Sequence, residues 1–344
     1  MTFNSSWRSP SNIALIKYWG KYGQQLPRNP SLSFTLSACF TETSIQVIPE
    51  SKFDLEVFYD GSPKPAFKEK ILSFFSRIES DFPWLKNSAF ILNSKNTFPH
   101  GAGIASSASA MSALALCIMV IDQQINGTVD PEFFSWSKAS AIARLGSGSA
   151  CRSVFPVAAV WGETPSIPGS SNEYALPWAS NIHPIYSSFQ DTILVVSDNE
   201  KSVSSTQGHA LMDDHPYADN RFKTAHQNLE KLIQIMKDDE HLDVFISIVE
   251  SEALQLHALM MSGHYPFILF HPNTIAIINE VWRFRKENQI PVCFTLDAGP
   301  NVHLLYPASF KSIIAPWIET TLKSFCFEGH IIEDHVGNGP EKMN

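Results

Sequence analysis

The sequence is poor in cysteine, in basic residues and in long apolar runs. Its five cysteines lie far apart, and an odd number without a C-x-x-C pair fits neither a disulfide framework nor a zinc knuckle. With 25 basic against 34 acidic residues the formal net charge is -9, which argues against nucleic acid or an anionic membrane as the main partner. The N-terminal residues lack an apolar signal core, and the longest apolar stretch, 111–121, is too short to cross a bilayer. We therefore expect a cytoplasmic protein.

Several catalytic motifs are also missing. The 12 histidines form no H-E-x-x-H sequence, so a zinc ion held by protein ligands is not expected. There is no G-x-S-x-G elbow for a serine hydrolase, and no glycine-rich stretch ends in the Gly-Lys-Ser or Gly-Lys-Thr of a Walker A loop. The chain has instead a 44% hydrophobic composition and, at 344 residues, a length that suits about two domains.

Residues 96–109 form a stretch in which nearly every side chain after Phe98 is small or absent. Such a backbone can curl its N–H groups around an anion, and the apolar run that follows predicts a helix whose N-terminus faces the same place. A tight turn packed under that helix explains the composition equally well. The loop therefore predicts either a phosphate site or a close packing contact.

Hydrophobic spacing predicts a chain of mixed helices and strands. Strands are expected at 13–16, 32–36, 43–48, 53–59, 89–92, 192–196, 292–296 and 302–306. Helices are expected at 68–79, 106–123, 130–145, 217–237, 242–261 and 273–287. Asp130 is the expected cap of its helix and Pro131 the first residue. Residues 163–172 suit a surface loop, and the tail from Asp334 is either frayed or docked on the body.

Two clusters near the strand ends combine charged groups with turn residues. In 17–21 two lysines and a tyrosine can bind an oxygen-rich anion, or they are a solvated strand end with Trp19 buried. Asp297, at the end of a buried strand, can act as a base or electrostatic group, or it forms an Asx turn before Gly299. Composition and spacing alone leave both pairs of alternatives open.

Two further clusters are rich in small and hydroxyl side chains. Residues 146–153 offer N–H and hydroxyl donors beside Arg152, whose planar fork suits a carboxylate or phosphate. Cys151 in this stretch is expected to be a packed small residue. Residues 202–208 either cap a helix or contact a ligand, and capping is the more frequent explanation.

Four segments, taken together and in this order, resemble signatures of the mevalonate diphosphate decarboxylase family within the GHMP kinase superfamily. These segments are 12–21, 99–109, 143–153 and 297–301. The Tyr-Trp-Gly-Lys tetrapeptide at 18–21 and the Gly-Ser-Gly-Ser-Ala-Cys-Arg string at 146–152 are specific to this group. The glycine loop is shared by GHMP kinases generally.

The resemblance implies an α+β, two-domain GHMP kinase fold with the active site in the interdomain cleft. A ribosomal protein S5 domain 2-like domain would span 1–185, and a ferredoxin-like domain would span 186–344 and carry the catalytic aspartate. The implied reaction is ATP-dependent decarboxylation of (R)-5-diphosphomevalonate to isopentenyl diphosphate, ADP, phosphate and CO2, with Mg2+ held by ATP phosphates. The alternative is decarboxylation of mevalonate 5-phosphate, or phosphorylation alone by a mevalonate 3-kinase-like enzyme. Relatives are usually homodimers.

Residue roles follow from the resemblance by position. Asp297 would polarise or deprotonate the 3-hydroxyl, Lys17 would keep Asp297 ionised, and Arg152 would orient the substrate carboxylate. The residues expected to bind the substrate are Tyr18, Lys21, Ser147, Gly148, Ser149 and Ser205, with Thr206 near the phosphates. The residues expected to bind ATP are Pro99, Gly101, Ala102, Gly103, Ile104, Ala105, Ser106, Ser107 and Ser109.

The sequence departs from the family pattern at several positions, and none of these departures removes a charged group assigned to chemistry. Pro156 and Val157 replace a usual Gly-Gly pair, Ala110 replaces a glycine, His100 replaces Thr or Val, and Pro30 replaces a common Ser. These departures concern loop geometry and substrate choice.

Overall fold

The structure is a computed structural model that describes residues 1–99, 104–128, 134–198 and 205–343. The predicted loop positions 100–103, the helix start at 130–131 and the serine cluster at 202–204 lie outside these residues. The side chains of Ser205 and Thr206 lie outside them as well.

Most strands are close to the predicted segments, and several begin earlier or were not predicted. The strands are Phe3–Ile16 (β1), Lys21–Tyr22 (β2), Leu26–Pro27 (β3), Ser31–Pro49 (β4), Asp54–Tyr59 (β5), Ser62–Pro63 (β6), Ser88–Asn96 (β7), Ala158–Trp161 (β8), Ala175–Pro177 (β9), Phe189–Leu194 (β10), Cys293–Thr295 (β11), Val302–Pro307 (β12), Ile331–His335 (β13) and Glu341–Met343 (β14). The first half of β1 escaped prediction because its inward positions include Ser5 and Ser9, so the alternation is not hydrophobic.

Six helices of the described chain follow the predicted order, and those at Pro184–Ser187, Ser205–Ala210 and Lys311–Thr320 were not predicted. The helices are Lys68–Ile78 (α1), Ser106–Ile125 (α2), Trp136–Gly146 (α3), Pro184–Ser187 (α4), Ser205–Ala210 (α5), Ala218–Ile235 (α6), Leu242–Ser262 (α7), Pro272–Asn288 (α8) and Lys311–Thr320 (α9). Short 3-10 turns occur at Pro65–Phe67, Pro83–Asn87, Gly148–Cys151, Ala179–Asn181, Ala308–Phe310, Leu322–Phe325 and Phe327–Gly329. In the described chain α3 begins after Ser135, whose side chain accepts the N–H of Lys138, so Ser135 caps this helix and not Asp130.

Two sheets organise the molecule. The first runs in the order β14-β1-β4-β7-β5-β6, with β8 paired to β4 and β9 to β8. Helix α2 packs on β1 and β4 and buries most of its side chains there. The second sheet has the order β11-β12-β10-β13, and its neighbouring strands are antiparallel. The α+β prediction is confirmed.

Two helices need comment because they are long and apolar enough to cross a membrane. They are Ser106–Ile125 and Leu242–Ser262 in the part of the chain that the structure describes. The apolar run 111–121 lies at the centre of α2, and small and polar residues at both ends extend the helix to 20 residues. In their most apolar windows, 72% and 61% of the residues are buried inside the protein, which is the pattern of core helices.

The tail from Asp334 is docked. The Asp334 carboxylate accepts the main-chain N–H groups of Ser37, Ala38 and Cys39 at 2.8, 2.7 and 2.7 Å. Beyond it, β14 adds an edge strand to β1 in the first sheet. The last described residues therefore complete the sheet that the first residues begin.

We expect Asp334→Ala to lower the free energy of unfolding by about 3 kcal/mol or more, because it leaves buried N–H donors without an acceptor. Asp334 is 3% exposed. Urea denaturation with the slope fitted separately measures the effect. Glu333→Ala is the matched control, since its surface pair with Lys311 is worth about 1 kcal/mol or less. Equal losses in the two variants would contradict a special role for Asp334.

Candidate active site

Lys17 and Asp297 meet where the two sheets face each other. Lys17 follows the last residue of β1, and Asp297 stands two residues after the end of β11. The Lys17 Nζ donates to Asp297 Oδ1 at 3.1 Å. Burial lowers the pKa of Lys17, while the charge and hydrogen bond of Asp297 oppose that shift. The predicted proximity of this pair is present in the structure, across 280 positions of sequence.

Arg152 lies close enough to Lys17 and Asp297 for the charges to interact, immediately after the 3-10 turn Gly148–Cys151. Its Nε and Nη2 donate to Asn12 Oδ1 at 3.3 and 3.1 Å, and its Nη1 donates to the Ser31 hydroxyl. Asn12 is itself fixed because its Nδ2 donates to the Ser153 hydroxyl at 2.8 Å. The guanidinium is 2% exposed and so has a held orientation.

Tyr18 follows Lys17 directly and packs in a cluster of aromatic rings. Its ring lies between Trp161 and His209, with centroids 4.7 and 4.3 Å away. The hydroxyl is buried and has no hydrogen-bond partner among the described residues, and burial raises the pKa of Tyr18. A Cβ at Gly148 would come within 2.8 Å of this hydroxyl. Gly148 thus leaves the phenol the space it occupies, which explains a glycine in the 146–152 string.

A group of donors and cations faces the start of α2. The hydroxyls of Ser107 and Ser147 are hydrogen-bonded at 3.1 Å, which joins the glycine loop to the second small-residue cluster. Burial, and after it the charge of Arg77, lowers the pKa of Lys21. Arg77 is held by donating to the main-chain carbonyl of Leu145 at 2.7 Å. Cations and hydroxyls in this arrangement suit phosphate oxygens.

A cavity of about 210 Å³ opens beside the first turn of α2. Its polar lining includes Ser106, Ser107, Lys70, Asn96 and Tyr59. The residue before the helix, Ala105, has a left-handed backbone at φ 42°, and no side chain caps the first turn. The first turn of α2 therefore lies beside this cavity, and the N-terminus of a helix is a favourable place for an anion.

The other residues that we expected to bind ATP differ in burial, and some of them lie outside the described part of the chain. Ile104 is 2% exposed, and its carbonyl accepts the Ser11 hydroxyl at 2.6 Å. Ser109 is fully buried, and its hydroxyl is bonded to that of Thr41 at 2.6 Å, so it bonds inside the fold and does not line the cavity. Pro99 lies half-buried at the limit of the described segment. Gly101, Ala102 and Gly103 lie outside the described residues.

The remaining residues that we expected to bind the substrate either lie close to Arg152 or fall outside the described part of the chain. The carbonyl of Ser149 accepts from Asn12 Nδ2 at 3.1 Å, so this residue borders the Arg152 site. Cys151 is buried, and burial raises the pKa of its thiol to about 12, as a packed residue would show. The side chain of Ser205 lies outside the described part of the chain.

Sequence reasoning missed several residues around the site. Arg77 and Lys70 belong to α1, where a charged residue on an amphipathic helix looks solvated. Glu252 and His257 belong to α7, an otherwise apolar helix, and are 0% and 1% exposed. Charged and polar residues inside an apolar run are a usable signal, because a buried charge requires a partner.

Metal binding by the protein itself has no obvious donor set. Within the residues that the structure describes, no group of three or more His, Cys, Asp or Glu side chains is placed to hold a metal ion. The donors at the start of α2 are N–H and hydroxyl groups together with lysine, a set that suits the phosphates of a nucleotide more than a bare cation.

Comparisons with known proteins agree along the whole chain. Residues 9–175 match the model of the diphosphomevalonate decarboxylase-like N-terminal domain, and residues 192–341 match that of the mevalonate 5-diphosphate decarboxylase C-terminal domain. The diphosphomevalonate decarboxylase of Eremothecium gossypii is 30% identical over 326 residues, which is 88% of this chain and 78% of that protein.

Solved structures give the same result. The mevalonate diphosphate decarboxylase of Staphylococcus aureus superposes with a TM-score of 0.85 at 28% identity, covering 100% of this chain and 99% of that chain. A structure of MDDEF in complex with MVAPP, AMPPCP and magnesium has a TM-score of 0.84 at 26% identity and covers 100% of both chains. With both halves matched in order, the chain belongs to the diphosphomevalonate decarboxylase family.

Proposed function

We propose that this protein catalyses the ATP-dependent decarboxylation of (R)-5-diphosphomevalonate to isopentenyl diphosphate, ADP, phosphate and CO2. The observation that carries the proposal is the Lys17–Asp297 contact of 3.1 Å, with Arg152 near enough for its charge to act on both. Similarity to a complex with MVAPP, AMPPCP and magnesium supports the same reaction class. The cleft lies between lobes that we divide near residue 185.

Asp297 and Lys17 would act on the substrate 3-hydroxyl. Asp297 is 24% exposed on its side chain and so reaches the cleft, while Lys17 is 2% exposed behind it. The cation favours the ionised carboxylate, which can then take the hydroxyl proton as the oxygen bonds to the γ-phosphorus and ADP leaves. The C3–O bond next breaks with its electron pair on phosphate, while the electrons of the bond to the carboxylate form the double bond and CO2 departs.

Arg152 would bind the substrate carboxylate. Its position is fixed by Asn12 and Ser31, so the fork is oriented before the substrate arrives. A tight grip on the carboxylate would oppose loss of CO2, and the role of Arg152 is therefore orientation more than acceleration.

The diphosphate end of the substrate would lie toward Tyr18, Lys21 and the 147–149 turn. The unpartnered Tyr18 hydroxyl points to a bond completed by substrate, and Lys21 with Arg77 supplies positive charge. Two cations at this end favour a diphosphate over a monophosphate.

ATP would bind at the cavity beside α2, with its phosphates on the helix N-terminus and on Ser106 and Ser107. Mg2+, when bound, neutralises charge on the transferring phosphoryl group. The hydroxyl of Ser107, joined to that of Ser147, would place ATP phosphates next to the substrate pocket.

We also propose that the protein is cytoplasmic and forms a homodimer. Cell fractionation tests the location, and light scattering tests the oligomeric state.

The test is product analysis with ATP, Mg2+ and one of two substrates. With mevalonate 5-diphosphate we expect equal amounts of CO2, ADP and isopentenyl diphosphate, and with the 5-phosphate a turnover at least about tenfold lower, since one phosphoryl contact is worth about 1.4 kcal/mol or more. Olefin from the 5-phosphate alone would overturn the diphosphate assignment. A phosphorylated product without CO2 would identify a kinase.

A further inference from the structure

Helix α7 contacts both partners of the Lys17–Asp297 pair through their main chains. The Glu252 carboxylate accepts the N–H of Lys17 at 2.9 Å. Five residues later on the same helix, the Nε2–H of His257 donates to the carbonyl of Asp297 at 3.1 Å. One rigid element thus touches the backbone of two residues that are 280 positions apart.

Arg221 of α6 also binds the main chain of Lys17. Its Nη2 donates to the Lys17 carbonyl at 3.1 Å, so both polar groups of the Lys17 main chain are held. The same guanidinium is paired with both oxygens of Glu252, at 2.7 and 2.6 Å. Asn228 Nδ2 donates to Glu252 Oε1 at 2.7 Å.

Burial makes this arrangement stiff. The side chains of Arg221 and Glu252 are 2% and 0% exposed, so water does not compete for their hydrogen bonds. Because the planar guanidinium of Arg221 faces the Glu252 carboxylate, the pairing restricts both the distance between the two groups and their relative orientation. Movement of the Lys17 backbone would break several of these bonds together.

We propose that Glu252, Arg221 and His257 are positioning residues that set the distance and orientation between Lys17 Nζ and Asp297. The proposal rests on the proposed function in that the Lys17–Asp297 pair is taken to be the catalytic pair. None of the three side chains contacts substrate in this scheme. They act by fixing the backbone from which each catalytic side chain extends.

The charge of Glu252 has a second effect on Lys17. Other ionisable groups that bear on the Lys17 ammonium are Asp297, Arg152 and Asp191. Burial lowers the pKa of Lys17, and Asp297 and then Glu252 oppose the shift, while Arg152 adds to it. Removing the negative charge of Glu252 should therefore lower this pKa further, and Lys17 would lose its proton at a lower pH.

Glu252→Gln is the test variant, because it keeps the shape and removes the charge. Glu250→Gln is the matched control: Glu250 is also buried, pairs with Arg285 at 2.5 Å, and lies about 200° around α7 from Glu252. Its carboxylate accepts from Trp282 and Arg285, so Glu250→Gln reports the cost of losing a buried ion pair on the same helix.

For Glu252→Gln we expect kcat to fall about 10- to 100-fold, as misplacement of catalytic groups does, with the KM for ATP changed by less than about threefold. The basic limb of the kcat pH profile should move to lower pH, because Glu252 is one of the groups that hold up the pKa of Lys17. Glu250→Gln should retain the wild-type kcat, and the basic limb of its kcat pH profile should lie at the wild-type pH. Wild-type values in Glu252→Gln, or an equal fall in Glu250→Gln, would overturn the proposal.

A titration that needs no turnover separates this proposal from the proposed function. In protein labelled with 13C at the lysine Cε, the Lys17 resonance should titrate at lower pH in Glu252→Gln than in wild type. If wild type releases no CO2 from any mevalonate phosphate, the proposed function fails while this titration still tests the effect of Glu252 on Lys17.

His257 offers a second pair of variants if Glu252→Gln does not fold. His257→Phe keeps a ring against Phe270, on which His257 stacks at 4.2 Å, and removes the donor to Asp297. His257→Gln restores a donor. We expect His257→Phe to lower kcat about tenfold and His257→Gln to recover part of it. Wild-type kcat in His257→Phe would remove His257 from the positioning set.

Discussion

Replacing Asp297 with Asn is expected to lower kcat by about 1,000-fold or more while leaving ATP binding intact. The amide keeps the size of the side chain but cannot take the proton of the 3-hydroxyl, and it no longer forms an ion pair with Lys17 Nζ, now at 3.1 Å. Turnover is measured as CO2 release, and ATP affinity by calorimetry with a non-hydrolysable analogue.

The matched control for Asp297→Asn is Asp238→Asn. Asp238 lies on the surface, where its partner is the exposed His241. The same carboxylate-to-amide change there should leave kcat within about twofold of wild type, because surface pairs contribute little. Turnover of Asp297→Asn near that of Asp238→Asn would remove Asp297 from the mechanism.

Arg152→Gln is expected to lower kcat/KM for the mevalonate substrate by about 100- to 1,000-fold. The substitution removes the fork that would orient the carboxylate, and it leaves Asn12 Oδ1 without the donors that now lie at 3.1 and 3.3 Å. The affinity for an ATP analogue should change little, because Arg152 faces the substrate half of the cleft. Steady-state kinetics with each substrate varied in turn gives kcat/KM for the mevalonate substrate and for ATP separately.

Two further variants test the Arg152 interpretation. Arg152→Lys restores a charge without the planar fork, so we expect activity between those of Arg152→Gln and wild type. Arg283→Gln is the control, since Arg283 is an exposed residue of α8 that pairs with Glu280 on the surface. If Arg152→Gln weakened ATP binding as much as substrate binding, Arg152 would not be a specific carboxylate ligand.

The elements that the sequence predicted well are those whose burial pattern is simple. The apolar spacing of α1 and the almost uniformly apolar α2 gave their positions within a few residues. The resemblance supplied what periodicity does not contain, namely that Lys17 and Asp297 face one another. Their contact depends on how two sheets pack, and no local pattern encodes that.

The parts that were missed depend on partners distant in sequence. Glu252 accepts from Arg221, Asn228 and the Lys17 main chain, so the reason for its burial lies on other elements. Strand β14 was not expected because three residues carry too short a pattern, and it forms only because β1 offers an open edge.

One departure from the family pattern has a visible structural counterpart. Val157, where the family resemblance leads us to expect glycine, has a φ of 63°, the left-handed region that a β-branched side chain rarely adopts. Its N–H donates to the carbonyl of Gly337 at 2.8 Å, and its carbonyl accepts the N–H of Thr35 at 2.9 Å. The docked tail and β4 thus hold Val157 in a conformation that costs about 1–2 kcal/mol.

The pairing of β14 with β1 also constrains the order of events during synthesis. Trp7 lies opposite Lys342 in the sheet, so these partners leave the ribosome at very different times. At about 5–20 residues per second, β1 would wait roughly 17–67 s for its neighbour. During that interval the backbone edge of β1 stays open to water or to other chains. The sheet whose first strand emerges earliest is therefore completed last.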